Sequence, residues 1–234
     1  GLSRNGRPGY VRPRAMERLH ALYERCLLCP RACGVNRRAR RGVGQRGFCG
    51  ETDRLRLAWA GLHRGEEPPV SGERGAGTFF FPGCTLRCPF CQNDQISHQG
   101  LGAELTEQEL AALMIRLQGL GAETINLVTA DHFVPGVIGA LHQARRAGLR
   151  LPVVWNSSGF QSPEGLAPLR EEVDIYLPDC KTLDEGLARR LLGAGGYPRA
   201  ARWAIPSMVR ARPLQFDGQR LRQGVIVRHL VLPG

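Results

Sequence analysis

The sequence has very little lysine: of its 32 basic residues, 31 are arginine and only Lys181 is lysine. Such a bias indicates a background that replaces lysine wherever arginine serves as well, so the surviving Lys181 points to a need for an ammonium group, although a single residue can also survive by chance. Long apolar runs are missing too, and none approaches the roughly 18 residues that cross a bilayer. The arginine-rich N-terminus has no apolar stretch behind it, so we expect neither a membrane span nor a secretory signal.

The composition predicts one globular domain of ordinary size. The chain has 234 residues, of which 42% are hydrophobic and 23% are charged. Its net charge of +11 is concentrated in residues 1–50, which hold 12 Arg and 2 Glu, while residues 51–234 hold 20 basic and 19 acidic side chains. We therefore expect a basic flexible arm at residues 1–14. Such an arm can bind nucleic acid or an acidic protein, but it is more often solvated, so nucleic acid is not the expected partner.

The eight cysteines fall into two tight groups, with one cysteine left over at position 180. Cysteines two or three residues apart are poorly placed to form disulfides with each other, but they can converge on one metal centre. Disulfide frameworks are also typical of small secreted domains, for which this chain shows no signal. The spacing therefore favours metal ligation in a reducing, cytoplasmic setting.

The second group is the more specific one. Cys84, Cys88 and Cys91 form a C-x3-C-x2-C triad in the run CTLRCPFC. A closed structural zinc site needs four ligands, and an iron–sulfur cluster is normally held by four cysteines. Three thiolates can instead hold three corners of a cubane [4Fe-4S] cluster and leave one iron open for another ligand. The alternative is a zinc ion completed by a histidine such as His98.

With these residues the sequence resembles the radical SAM superfamily, in which an aromatic residue before the third cysteine packs near an adenine. Phe90 occupies that position. The likeness covers about residues 20–234. Within the superfamily the sequence resembles the PflX-type branch, whose members are similar to pyruvate formate-lyase activating enzyme. The segments that carry it are residues 91–95, 125–133, 173–179 and 227–234.

The resemblance implies a [4Fe-4S] cluster on the triad and S-adenosylmethionine (SAM) as cosubstrate. Reductive cleavage of SAM would give a 5′-deoxyadenosyl radical that abstracts hydrogen, with flavodoxin or ferredoxin as electron donor. The implied substrate is a glycine of a partner protein, a glycyl radical enzyme. Radical modification of another peptide or of a small molecule is an alternative, and a zinc-binding module that contacts nucleic acid is an alternative from another class.

Short apolar runs alternate with helical patterns after residue 76, which predicts parallel strands covered on both faces. Thr106 and Glu109 predict a capping box, and Thr182 with Glu185 predicts another helix start. The predicted strands are residues 78–84, 124–130, 151–157, 173–180 and 224–232.

Repeated β–α units form either an open doubly wound sheet or a barrel, and periodicity does not distinguish them. The resemblance implies an α/β fold, a partial (β/α)6 radical SAM barrel. We expect it at residues 76–234, apparently truncated after the fifth strand with its C-terminal end missing. Residues 15–75 are expected to form an N-terminal helix and a small Cys-rich metal-binding module.

Polar residues cluster where the predicted strands end, which is where α/β folds place their sites. The candidate SAM-binding residues there are Phe90, Thr129, Asn156, Ser158, Asp179, Lys181 and Arg228. Thr129 is assigned to the methionine end of SAM, or it simply ends a strand. Asn156 and Ser158 suit ribose or carboxylate contacts, or a turn.

Asp179 and Lys181 are two residues apart on a strand and therefore face the same side. Lys181 can pair with the cosubstrate carboxylate while Asp179 holds it, although a surface pair is the alternative. Arg228 lies in an apolar run, so its guanidinium needs an anionic partner, either a structural Asp or the ligand.

The first cysteine group has four members and predicts a closed second metal centre. Zinc and an auxiliary iron–sulfur cluster both fit four thiolates, and the redox-active neighbour favours the cluster. Its members are Cys26, Cys29, Cys33 and Cys49. Cys180 is interpreted as a packed thiol, and no role is assigned to Glu66, Glu67, His63 or His98.

Overall fold

The computed structural model describes residues 13–38 and 45–231. Most of the expected basic arm, and residues 232–234 at the end of the expected barrel, lie outside these residues. Within them, no helix combines the length and the apolar character that a membrane span requires.

The described residues form nine strands and eight α-helices. The strands are β1 (Arg56–Leu57), β2 (Trp59–His63), β3 (Ala76–Phe80), β4 (Ala103–Glu104), β5 (Ile125–Val128), β6 (Val153–Ser157), β7 (Ile175–Pro178), β8 (Gln215–Asp217) and β9 (Arg220–Val225). The helices are α1 (Pro13–His20), α2 (Pro68–Ser71), α3 (Asp94–Ser97), α4 (Glu107–Gly119), α5 (Val134–Arg146), α6 (Pro163–Leu166), α7 (Glu185–Leu192) and α8 (Tyr197–Ala211). Short 3-10 helices cover Ala21–Tyr23, Asp131–Phe133 and Ala167–Glu171.

Seven strands form the main sheet in the order β2-β3-β5-β6-β7-β9-β8. The five strands from β3 to β9 are parallel and follow one another in chain order, while β2 and β8 pair antiparallel at the two edges. A doubly wound sheet reverses its strand order at a switch point, and this sheet does not. Because β–α–β crossovers are right-handed, an unreversed order places the helices on one face. The mixed α/β fold with a parallel sheet is therefore confirmed.

The main hydrophobic core lies between the sheet and its helices. Neighbouring strands contribute fully buried side chains to this core, among them Phe79, Leu127 and Trp155. Tyr23 and Leu28 from the N-terminal region pack into the same core. The N-terminal residues and the sheet therefore share one hydrophobic interior.

The opposite, inner face of the sheet is partly covered by the connection between β2 and β3. Val70 on α2 is 1% exposed and packs in a separate cluster with Val154, Ile175, Leu177 and Leu221. Since side chains two residues apart share a face of a strand, Asn156 and Asp179 continue this inner face toward the strand ends. The polar candidates thus lie beyond an apolar floor.

The capping box of α4 is confirmed: Thr106 accepts from the Glu109 N–H and Glu109 reaches back. The predicted start of the later helix at Thr182 is wrong. The N-cap of α7 is Asp184, which accepts a hydrogen bond from the Leu187 N–H, while the Thr182 hydroxyl accepts from the Asp184 N–H. A carboxylate one residue before the first helical turn satisfies its free N–H groups more directly. The sequence pattern also missed α8 altogether.

Candidate active site

The cysteine triad lies in the loop that follows β3, at the C-terminal edge of the parallel sheet. The Cys84 sulfur accepts a hydrogen bond from the Leu86 N–H at 3.4 Å, and the Cys91 sulfur lies 3.1 Å from the Ser97 hydroxyl. Both contacts hold the loop against its own backbone and α3. The sulfurs are thus positioned by local structure as well as by the sheet.

The three thiols lie close enough to affect one another electrostatically. Burial raises the pKa of Cys84 to about 12, and the charges of Cys88 and Cys91 add to this rise. Burial also raises the pKa of Cys88, an effect that the ammonium of Lys181 opposes. Thiolates are the metal-binding form, so a bound cation would replace these protons.

Three cysteine thiols in one loop are the donor type that holds an iron–sulfur cluster. In the part of the chain that the structure describes, no three His, Cys, Asp or Glu side chains converge closely enough to hold one metal ion. A four-iron cluster holds its cysteine sulfurs farther apart than a mononuclear site does. Three neighbouring thiols that do not meet at one point are therefore compatible with the cluster that the spacing predicts.

Asp179 and Lys181 lie together at the end of β7, as their spacing predicts. The Lys181 ammonium donates to the Asp179 carboxylate at 2.7 Å. Asp179 also pairs across an isolated parallel bridge with Arg228, whose Nε lies 3.1 Å from Oδ1 of Asp179. The backbone N–H of Lys181 also donates to the hydroxyl of Tyr197 at 2.9 Å, and Tyr197 packs in the same cluster as Cys88, so this charged group lies beside the cysteine triad.

Arg228 has structural anionic partners, one of which the sequence analysis missed. Its guanidinium donates to the side-chain amide oxygen (Oδ1) of Asn156 at 2.6 Å and to Glu66 at 3.3 Å. The other carboxylate oxygen of Glu66 accepts from the side-chain amides of Asn156 at 2.7 Å and Asn126 at 2.8 Å. Glu66 thus joins three strand ends. The polar Asn126 inside an apolar strand was a sequence signal that this face holds a polar partner. No feature of the sequence around Glu66 identified it as that partner.

Glu67, beside Glu66, adds a further carboxyl group to the inner face. Burial, followed by a hydrogen bond to Glu66 and the charge of Glu66, raises the pKa of Glu67 to about 7, while Arg228 opposes the rise. Three carboxyl groups here (Glu66, Glu67 and Asp179) face two cations, Arg228 and Lys181. While Glu66 and Glu67 share a proton through their hydrogen bond, the three carboxyl groups carry two negative charges, which the two cations balance.

Thr129 ends β5 in an unusual conformation. Its φ of 58° is rare for a β-branched residue, and its N–H donates to the Asn156 carbonyl at 2.9 Å. Backbone strain of this kind is concentrated at functional sites. The conformation of Thr129, as well as its hydroxyl, therefore makes the end of β5 a candidate part of the site.

Ser158 and Phe90 have other contacts. The Ser158 hydroxyl accepts from the Phe160 N–H at 3.4 Å, and its carbonyl accepts from the Tyr197 hydroxyl at 2.9 Å, so Ser158 lies in a buried turn. Phe90 packs, partly buried, against the cluster that contains Phe160 and Tyr197. In this structure both residues support the loops around the site.

Asp131 and His132 lie buried beside the triad. Burial raises the pKa of Asp131 to about 7, although its Oδ1 accepts hydrogen bonds from Trp155 and Gln161. Burial and the neighbouring Arg37 lower the pKa of His132 to about 3, so this imidazole is neutral and donates from Nε2 to the Pro82 carbonyl at 2.7 Å. The second oxygen of Asp131 has no hydrogen-bond partner among the described residues.

The four N-terminal cysteines gather around a buried arginine. Cys26, Cys29 and Cys49 are buried and Cys33 is exposed. The Arg37 guanidinium lies 3.7 Å from the sulfur of Cys26. These thiols, like the triad, do not converge on a single ion within the described residues.

Comparison with known proteins agrees with this arrangement. Residues 78–216 match the family model of the radical SAM superfamily. Over 238 aligned positions the chain is 27% identical to the uncharacterized protein MJ0674 of Methanocaldococcus jannaschii, and the alignment covers 96% of this chain and 63% of that protein. The chain therefore spans less than two thirds of this relative's length. Since the family match extends over more than half of the chain, the protein belongs to the radical SAM superfamily.

Proposed function

We propose that this protein cleaves SAM reductively and uses the resulting radical to abstract a hydrogen atom. The observation that carries the proposal is the meeting of two segments far apart in the chain. The ammonium of Lys181 lies 2.7 Å from Asp179. The backbone N–H of Lys181 donates to the hydroxyl of Tyr197 at 2.9 Å, and Tyr197 packs in the same cluster as Cys88. A cation held by a carboxylate beside a cysteine triad is suited to binding the carboxylate of an amino-acid cosubstrate.

Each part of the site has a distinct role in this proposal. Cys84, Cys88 and Cys91 hold the [4Fe-4S] cluster, and Asp179 orients Lys181 toward the methionine carboxylate. When bound, the cluster supplies the electron that breaks the sulfonium C–S bond of SAM, giving methionine and a radical that removes hydrogen from the substrate.

The direct test is anaerobic reconstitution with iron and sulfide, reduction with dithionite, and measurement of 5′-deoxyadenosine. We expect Cys88→Ala to abolish the product because one corner of the cluster loses its ligand. Cys180→Ala is the matched control: it removes a cysteine outside both groups and should retain activity. Product from Cys88→Ala, or its loss from Cys180→Ala, would contradict the assignment.

Lys181→Arg tests the ammonium. A planar guanidinium replaces a compact point charge, so the dissociation constant for SAM should rise while iron content stays unchanged. Equilibrium binding of SAM to the reconstituted protein measures this effect. An unchanged dissociation constant would contradict this role and leave Lys181 as one half of a surface ion pair with Asp179.

We also propose that the N-terminal cysteines hold a second metal centre, and we favour an auxiliary iron–sulfur cluster over zinc. Metal analysis after anaerobic purification separates the cases. About eight irons per chain indicate two clusters, and about four irons with one zinc indicate a structural zinc. Two zincs without iron would instead favour the nucleic-acid-binding module.

For the substrate, we propose a glycine of a partner protein, in line with the resemblance to glycyl-radical-activating enzymes. Incubation with a candidate glycyl radical enzyme that carries deuterated glycine should transfer deuterium into 5′-deoxyadenosine. Product without deuterium would direct the search to another peptide or to a small molecule.

A further inference from the structure

A basic cavity lies where the N-terminal cysteines meet the triad loop. The cavity has a volume of about 360 Å³. Its charged, cysteine and histidine lining residues are Arg46, Cys49, Glu51, Arg56, Arg87 and His98. Arg87 stands between the first two cysteines of the triad in the sequence, and Cys49 belongs to the other group. This surface therefore borders both sets of thiols.

The positive charges of this cavity are only partly neutralised. The carboxylate of Glu51 is paired with Arg56 at 2.7 Å. Arg46 and Arg87 instead donate to backbone carbonyls, of Gly50 at 2.6 Å and Phe48 at 3.0 Å. Among the ion pairs of the described residues, neither arginine has a carboxylate partner. Both side chains are exposed, so their charge is directed at solvent.

An exposed aromatic ring lies beside these charges. Phe48 is 39% exposed, and the guanidinium carbons of Arg31 and Arg87 lie 3.8 Å and 4.9 Å from its ring centre. Arginine and aromatic side chains are enriched at the centres of protein interfaces. Stacking fixes the guanidiniums, so less side-chain entropy is lost when a partner binds. We call the surface formed by Arg31, Arg46, Phe48, Arg87 and His98 the basic face.

The position of Cys33 extends the basic face toward the protein surface. Cys33 is exposed, whereas the other three cysteines of its group are buried. The sulfurs of Cys33 and Cys49 both lie within 3.6 Å of the position that a Cβ on Gly47 would occupy. A partner seated on the basic face would thus lie over Cys33, the exposed thiol of the N-terminal group.

We propose that the basic face is the docking surface of an acidic electron-carrier protein. This inference rests on the proposed function, which consumes one electron for each SAM that is cleaved. The reduced carrier loses one electron and the iron–sulfur centre of this protein gains it, so no further co-reactant is needed. The exposed aromatic ring and the carboxylate of Glu51 in the cavity favour a protein over the uniformly anionic backbone of a nucleic acid.

The test uses a purified acidic flavodoxin and the full-length chain. We expect Arg46→Glu to raise the dissociation constant by about tenfold or more at low ionic strength, and by much less at high salt, because the attraction is screened. Phe48→Ala should weaken binding while leaving its salt dependence unchanged. The matched control is Arg116→Glu in the last turn of α4, which should leave the dissociation constant as in wild type.

Production of 5′-deoxyadenosine separates docking from chemistry. With reduced flavodoxin as donor, Arg46→Glu should slow the reaction severalfold, whereas with dithionite it should match wild type. Equal binding by wild type and Arg46→Glu, or an equal loss with both reductants, would overturn the docking proposal. Salt-sensitive binding of an oligonucleotide in place of flavodoxin would also overturn it. Absence of product with dithionite in wild type would refute the proposed function, while the binding comparison would still test the surface.

Discussion

At the scale of single residues, the inner face depends on Glu66. This carboxylate accepts hydrogen bonds from Asn126, Asn156 and Arg228, which are 60, 90 and 162 residues away in the chain. Its side chain is only 9% exposed. A carboxylate with three donors fixes the direction of Arg228 and of the Asn156 amide, so Glu66 is a positioning residue for the strand ends.

Glu66→Gln should therefore disturb the site more than Glu67→Gln. The side-chain amide of glutamine would place an N–H donor against the donors that Glu66 now accepts from. We expect this mismatch to lower the free energy of unfolding by about 1–3 kcal/mol. Each kcal/mol lowers the melting temperature by roughly 2–4 °C. We also expect weaker SAM binding, measured well below the melting temperature. Glu67→Gln resembles the protonated form of Glu67, whose pKa is near 7, and should change both quantities little. Equal effects of the two substitutions would contradict the positioning role.

At the scale of elements, α5 is joined to the connection before β7 by a carboxylate. Glu172 accepts from His142 at 2.8 Å and from Arg145, both on α5. Burial alone would raise the pKa of Glu172, but the hydrogen bond from His142 and the charge of Arg145 bring it below its ordinary value. The ionised carboxylate therefore stabilises the docking of α5.

The sign of this pH dependence follows from the lowered pKa. A carboxyl group that releases its proton more readily in the folded state contributes stability above its ordinary pKa and loses that contribution as the pH falls through its folded value. Thermal unfolding of Glu172→Gln should show its largest deficit against wild type near pH 7. The deficit should shrink below about pH 4.

The exposed neighbour Glu171 supplies the control for this prediction. Glu171→Gln should change the melting temperature little at any pH. A deficit of Glu172→Gln that is equally large at pH 7 and in acid would show that the substitution disrupts packing and not the ion pair.

At the scale of the whole molecule, Arg37 connects the cysteine-rich N-terminal region to the sheet. Its side chain is fully buried and donates to the carbonyls of His132 at 2.7 Å and Glu51 at 3.2 Å. The guanidinium also lies 4.8 Å from the centre of the Tyr23 ring. One side chain thus satisfies backbone groups on both sides of this junction.

Arg37→Met should loosen the junction because buried carbonyls would lose their donor. In hydrogen exchange, amides of residues 23–38 and 49–53 should exchange faster, whereas those of β5, β6 and β7 should remain protected. Arg38→Met changes an exposed neighbour and should leave the exchange pattern as in wild type. Uniformly faster exchange after Arg37→Met would mean that the N-terminal region and the sheet unfold as one unit.

Much of the fold could be predicted from local patterns. Four of the five parallel strands lie mostly within the apolar runs where the sequence places them, and the Thr106 capping box is formed. The predicted strand at residues 224–232 is wrong in its bounds: β9 covers Arg220–Val225, and beyond it Arg228 forms only an isolated bridge with Asp179. Helix α8 escaped notice because Gly195 and Gly196 before it and Pro206 within it are typical of turns. Packing of its apolar residues, Ala201, Ala204 and Met208, outweighs these local preferences.

The site was predictable to the extent that its chemistry is written in short spacings. The triad, the Asp179–Lys181 pair and the clustering of polar residues at strand ends all follow from the order of residues along the chain. Glu66 does not follow from it, because its partners lie on β5, on β6 and in the segment after β9. The burial of Arg37 was equally invisible, since the surrounding sequence is strongly basic and predicts solvent exposure.

The sequence alone determined that the three thiols of the triad lie together, because cysteines within eight positions must share one loop. It also determined that the sheet is parallel, because apolar runs alternate with capped helices. Only the tertiary structure decided that Glu66 closes the inner face, that Arg37 joins the N-terminal region to the sheet, and that Arg46 and Arg87 are directed outward. The physical reason is that hydrogen bonds and charge pairing depend on distance in space, and side chains such as Glu66 and Arg228 become neighbours only when the sheet brings its strand ends together.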